Sequence, residues 1–90
     1  MDTFFSNNDG YIPNEGFVPD KETAIRIAEA VWLPIYEDSI NDKKPFIAEY
    51  NEEEECWEVY GTLPENMLGG VPEIKIRKSD GKILYVSHGK

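Results

Sequence analysis

Residues 71–87 read Val-Pro-Glu-Ile-Lys-Ile-Arg-Lys-Ser-Asp-Gly-Lys-Ile-Leu-Tyr-Val-Ser. Ile74 and Ile76 alternate with Glu73, Lys75 and Arg77, the two-residue period of a strand with one buried face. After Ser79-Asp80-Gly81, Leu84 and Val86 alternate with Ile83 and Tyr85. Two strands, 71–78 and 82–87, are therefore expected around a turn. A two-residue turn at Asp80-Gly81 would set Ile76 against Tyr85 and Ile74 against Ser87. A three-residue loop with Gly81 in a left-handed bulge sets Ile76 against Leu84 and Ile74 against Val86. The second puts apolar on apolar along one face and is the expected register.

Working outward from this hairpin, two further strand signals precede it, Pro45–Tyr50 and Cys56–Leu63, with Asn51–Glu55 as the tip between them. Upstream lies a helix signal over about residues 20–37. Asp20 is placed to cap it by accepting the amide of Thr23, and Glu22 suits the positive helix end. Ala24, Ile27, Ala28, Val31 and Ile35 form an apolar stripe, widened by Ile25, Trp32 and Tyr36. Pro34 removes the hydrogen bond to the Ala30 carbonyl, so a kink or end is expected there. Residues 1–18 carry Asn7-Asn8-Asp9-Gly10, Pro13 and Gly16, which favour irregular backbone. We divide the chain into an irregular arm, residues 1–15, and one α+β domain, residues 16–90. In that domain one N-terminal helix packs on a four-stranded antiparallel meander.

The 90-residue chain holds 9 basic and 18 acidic side chains, a net charge of −9, with 40% apolar residues. That balance fits one small folded domain with a modest core. The charge is uneven: residues 37–65 hold ten acids and two lysines, whereas residues 71–90 hold two acids and five bases. Excess acid argues against a phosphate-backbone binder and favours a basic protein partner. No run of about 18 apolar residues is present, so no membrane-inserted helix is expected. The first twenty residues hold no Lys or Arg, unlike a secretory leader. The single cysteine excludes an intrachain disulfide and a cysteine-built zinc site.

Few residues could carry chemistry. His88 is the only histidine and has no evident acid or nucleophile beside it in sequence; it reads as a polar residue near the end of a strand. Cys56 follows four glutamates, which raise a thiol's pKa, and reads as structural. Glu52, Glu53, Glu54 and Glu55 could in principle bind a hard cation, but no calcium-loop pattern accompanies them. A solvated tip and a docking tip for a basic partner both fit. Gly69-Gly70 is no phosphate loop and suits a bend. Met67 and Leu68 are either folded onto the core or offered to a partner. Trp57 and Tyr60 fall on opposite faces of the second strand; among Trp32, Tyr36, Trp57 and Tyr60 at least one is expected in the core and another exposed as a contact anchor. No catalytic, cofactor or metal residues are assigned.

Several segments carry a family resemblance. They are Gly16-Phe17-Val18-Pro19-Asp20, Thr23-Ala24, Ala28, Trp32-Leu33-Pro34-Ile35-Tyr36 and Lys44-Pro45-Phe46-Ile47-Ala48. They continue with Trp57-Glu58-Val59-Tyr60-Gly61-Thr62-Leu63-Pro64, Gly69-Gly70-Val71-Pro72-Glu73-Ile74, Lys78–Leu84 and His88-Gly89-Lys90. In this order they resemble the bacterial immunity proteins with a nuclear transport factor 2 fold, which accompany polymorphic toxins delivered between competing cells. Glu37 departs from the pattern, since the family typically has glycine there. The resemblance implies a small cone, a helix on a curved antiparallel sheet, and a non-enzymatic role of binding and neutralising one cognate toxin; a cytoplasmic protein without cofactor is expected. Most of the motif residues then read as scaffold: the helix stripe, the strand ends and the bend glycines. Partner contact is expected on the surface, at Glu52, Glu53, Glu54, Glu55, Trp57, Tyr60, Met67 and Leu68. Two other readings stay open. One is a small-molecule-binding or enzymatic cone with Trp32, Trp57 or Tyr60 as walls and His88 at the rim. The other is an extracytoplasmic accessory domain, periplasmic or lipid-anchored, from which a leader has been removed.

Overall fold

The computed structural model describes residues 11, 13–63 and 70–88. Most of the expected arm, residues 1–10 and 12, lies outside the described residues. Helix α1 spans Lys21–Tyr36 and runs into a 3₁₀ helix, Glu37–Lys43. Strands β1 (Ile47–Asn51), β2 (Cys56–Tyr60), β3 (Pro72–Arg77) and β4 (Ile83–His88) follow. They form one antiparallel sheet in the order β1-β2-β3-β4, the expected meander.

Asp20 caps α1 as its position predicts, its carboxylate accepting the Thr23 N–H at 2.8 Å. Ala24, Ala28 and Trp32 are fully buried against the sheet, with Ile25, Ile27, Val31 and Tyr36 packed beside them. The two alanines let the helix backbone lie close, and Trp32 fills the wider space toward the C-terminal end. Ile35, expected in this stripe, is instead 54% exposed. The buried line advances in steps of four residues, from 24 to 28 to 32 and on to Tyr36. Ile35 lies about 100° around the helix from that line at the same level. Pro34 does not end the helix, which closes two residues later when the Glu37 N–H bonds the Leu33 carbonyl.

Glu37 has φ 55° and ψ −140°, a conformation that favours glycine. The resemblance pointed to glycine at this position, and the backbone supplies the reason. Replacing Glu37 by glycine removes a strain of order 1–3 kcal/mol and adds up to about 1 kcal/mol of unfolded-chain entropy. Glu37→Gly is therefore expected to stabilise the fold by about 1 kcal/mol in urea titrations. A destabilised variant would show that the strain is absent.

The β3–β4 hairpin corrects one half of the expected register. Ile74 stands opposite Val86, as anticipated, but Ile76 stands opposite Ile83 and not Leu84. The loop holds one more residue than expected. Arg77 pairs with Lys82 through N–H···O at 2.8 Å, and the Gly81 N–H closes on the Arg77 carbonyl at 2.9 Å. The register then shifts between Lys75 and Ile76, and Leu84 absorbs the extra residue. Gly81 takes the left-handed conformation, φ 76°. Asp80 binds the Arg77 guanidinium through two contacts, 3.0 and 2.9 Å, and accepts the Lys82 N–H. That pair holds the Asp80 carboxyl down to about 2.

The chain before the helix is tied to this turn. The Phe17 and Val18 N–H groups donate to the Ser79 and Lys78 carbonyls at 3.1 and 3.0 Å. Val18 is fully buried, and its carbonyl accepts the Trp57 indole N–H at 2.7 Å. Gly16 makes the approach possible: its φ is 83°, and a Cβ there would lie 2.5 Å from the Lys78 carbonyl oxygen.

Candidate functional site

α1 covers the sheet face built from Ala48, Trp57, Val59, Ile74 and Ile76. Strand alternation sends the other side chains to the outer face, on which no described helix packs. The register lays them in rows. One row is Ile47, Tyr60, Glu73 and Ser87, and the next is Glu49, Glu58, Lys75 and Tyr85. Trp57, expected as a contact candidate, is 7% exposed and hydrogen-bonded within the core, so it is not a surface anchor. Its strand neighbour Tyr60 points to the outer face and is half-buried. Trp32 likewise packs edge-on against Phe46, ring centroids 5.1 Å apart. Among the described residues both indoles are buried in the core between α1 and the sheet and do not stand as walls of an open cleft.

The tip forms a turn over residues 52–55, with all four glutamates exposed. They are not equivalent. Glu54 holds the Lys75 ammonium at 3.3 Å, while Glu52 and Glu53 form no ion pair among the described residues. The Glu54 N–H donates to the Asn51 side chain at 2.9 Å, and Asn51 in turn donates to Glu58. This local network shapes the turn.

Glu54, Cys56 and Glu58 could offer three ligand atoms within 4.8 Å of one another. Lys75 already stands against both carboxylates, at 3.3 and 3.9 Å, and supplies the positive charge a cation would bring. Burial, followed by the charges of Glu54 and Glu58, pushes the Cys56 thiol up. That opposes the thiolate needed for ligation or nucleophilic attack. Sequence reasoning missed Lys75, because its approach to Glu54 and Glu58 depends on the β2–β3 register.

His88 ends β4 and lies against Tyr36, ring centroids 5.5 Å apart. With Ser39, Ile40, Lys43 and Pro72 these rings border a cavity of about 30 Å³, room for a water and not for an organic substrate. A polar cleft of about 230 Å³ lies between Asn14, Glu15, Tyr50, Glu55 and Lys78. It falls below the roughly 300–1,000 Å³ of ordinary ligand pockets. Met67 and Leu68, the remaining contact candidates, lie outside the described residues.

Among the described residues, the outer sheet face offers an acidic and aromatic surface. The comparisons agree with that architecture. The family described as NTF2 fold immunity protein matches residues 23–90. The chain belongs to this family. Within it, the one-helix, four-strand α+β arrangement is an NTF2-like fold, as the sequence resemblance implied. The chain is also 34% identical over 85 residues to an Escherichia coli K12 protein described as "Uncharacterized protein YhhH". The match covers 92% of this chain and 65% of that relative, so the chain spans about two thirds of the relative's length. No solved structure matches the chain. No described helix is long and apolar enough to cross a membrane.

Proposed function

We propose that this chain is a non-enzymatic immunity protein that binds and neutralises a cognate bacterial toxin with a basic surface. The observation that carries the reading is family membership over residues 23–90, in a chain of net charge −9. The chemistry of the described side chains points the same way. His88 faces a phenol ring, and the Cys56 thiol is held protonated by burial and by Glu54 and Glu58. The exposed glutamates at 52–55 extend the negative field beyond the body of the domain and suit steering of a cationic partner. Neutralisation takes place in the cytoplasm, where the producing cell needs protection.

The reading is tested by co-expressing this chain with the toxin domain encoded beside it in its source genome. Growth should be restored by the wild-type chain, and the purified proteins should form a complex. Failure of both would overturn the assignment.

A further inference from the structure

The outer face of the sheet carries an arrangement that costs the free domain stability. Tyr60, the last residue of β2, stands on this face. Ile47 and Glu73 stand directly opposite it on the neighbouring strands, and Glu58 lies two residues before it. Glu49 and Lys75 occupy the diagonals. Glu49 and Glu58 face each other directly across β1 and β2, where like charges destabilise a sheet. Lys75 is the cation within these two rows, and its ammonium is committed to Glu54 and Glu58. Glu49 and Glu73 form no ion pair among the described residues. The phenol of Tyr60 senses these surroundings: loss of solvent, then the charge of Glu49 and the hydrogen bond the phenol makes to it, then Glu58 and Glu73, push its pKa up. Tyr85, 48% exposed, extends the aromatic surface, with the Lys75 ammonium 5.7 Å from its ring centroid.

We propose that this sheet face, on which no described helix packs and which carries Tyr60 among Glu49, Glu58 and Glu73, docks a Lys/Arg-presenting surface of a protein partner. The inference rests on the toxin-binding reading and names the surface that performs it. A guanidinium or ammonium brought against Glu49 and Glu73 makes charge-assisted contacts with the two acids of this face that Lys75 leaves unneutralised. Tyr60 supplies a partly enclosed aromatic anchor on a rigid strand, the kind of residue that dominates interface energetics. The sign of the face rejects a phosphate backbone. It also rejects a second copy of this chain through the same face, since acid would meet acid.

The test has two arms. In the first, association and dissociation rates are measured with the toxin domain encoded beside this chain, at about 50 and about 150 mM salt, which screen surface charge to different extents. Tyr60→Ala should raise the off-rate about 30-fold or more, the scale of an interface anchor, while Tyr60→Phe stays close to wild type. Glu49→Lys combined with Glu73→Lys should slow association about tenfold at the lower salt. The same reversal should raise the thermal midpoint, because the ammonium introduced on β1 would face Glu58 with opposite charge. Weaker binding in a more stable protein is an outcome that lost folding cannot produce. Rates within about twofold of wild type for both variants would overturn the docking face while leaving toxin neutralisation intact.

The second arm is independent of the toxin. A hexa-arginine peptide is titrated against the labelled chain by NMR. The largest shifts should fall on Glu49, Glu58, Tyr60 and Glu73 and vanish in the double reversal. Shifts confined to residues 52–55 would overturn the proposal. Shifts on the sheet face without any toxin binding would instead discard the toxin reading and keep the cationic docking surface.

Discussion

Trp32→Ala should lower the free energy of unfolding by about 3–5 kcal/mol, the range for removing a buried large aromatic side chain. Trp32 is fully buried between α1 and the sheet and packs edge-on against Phe46, so truncation leaves a void enclosed by both layers. A domain of 90 residues has of order 5–13 kcal/mol of total stability, so this variant approaches the unfolding limit. Urea titration gives the number, and a loss under about 1 kcal/mol would contradict the packing. Phenylalanine separates ring volume from hydrogen bonding. The Trp32 indole N–H has no partner among the described residues, whereas the Trp57 N–H is bonded to the Val18 carbonyl at 2.7 Å. Trp57→Phe leaves that carbonyl unsatisfied, a penalty of about 1–3 kcal/mol. Trp32→Phe incurs none of it and should be the milder of the two.

Gly16→Ala, a change of one methyl group, should cost about 3 kcal/mol. A left-handed conformation in a non-glycine residue costs roughly 1–2 kcal/mol, and overpacking typically adds about 1–3 kcal/mol. Both apply here: φ is 83°, and the new Cβ would lie 2.5 Å from the Lys78 carbonyl oxygen and 3.0 Å from Ser79 Cα. These are backbone atoms that cannot rotate aside. Relief requires moving the chain from the 78–79 turn, which weakens the bonds of Phe17 and Val18 to it. Denaturant unfolding measures the loss, and an alanine variant as stable as wild type would mean that residues 16–18 do not hold the turn.

The readable parts of the fold were those governed by local chemistry. Alternation at Ile74 and Ile76 and the aspartate at position 20 each have a nearby physical cause, so β3 and the helix cap lay where they were expected. The errors arose where a neighbouring element decides. Ile35 satisfies a helical stripe, but the path of burial depends on how α1 lies on the sheet. Leu84 and Ile83 are both apolar, so composition could not choose between them once the loop gained a residue. The candidate site followed the same rule. Trp57 and Tyr60 were correctly separated onto opposite faces, but only packing shows which of them is core. The conjunction of Glu49, Glu58 and Glu73 around Tyr60 joins three strands and becomes visible only when both registers are fixed.

The tie between residues 16–18 and the 78–79 turn also bears on the lifetime of the folded state. Every strand pairs with the one before it in the chain, and such local pairings form early because little chain must be closed. The contact of Lys78 with Glu15 spans 63 residues and incurs a much larger loop-closure entropy. A link of that kind belongs to the late side of the folding barrier. Weakening it speeds unfolding and leaves the refolding rate nearly unchanged. The short segment before α1 is thus placed as a latch, and variants that loosen it are expected to raise the unfolding rate more than they lower the refolding rate.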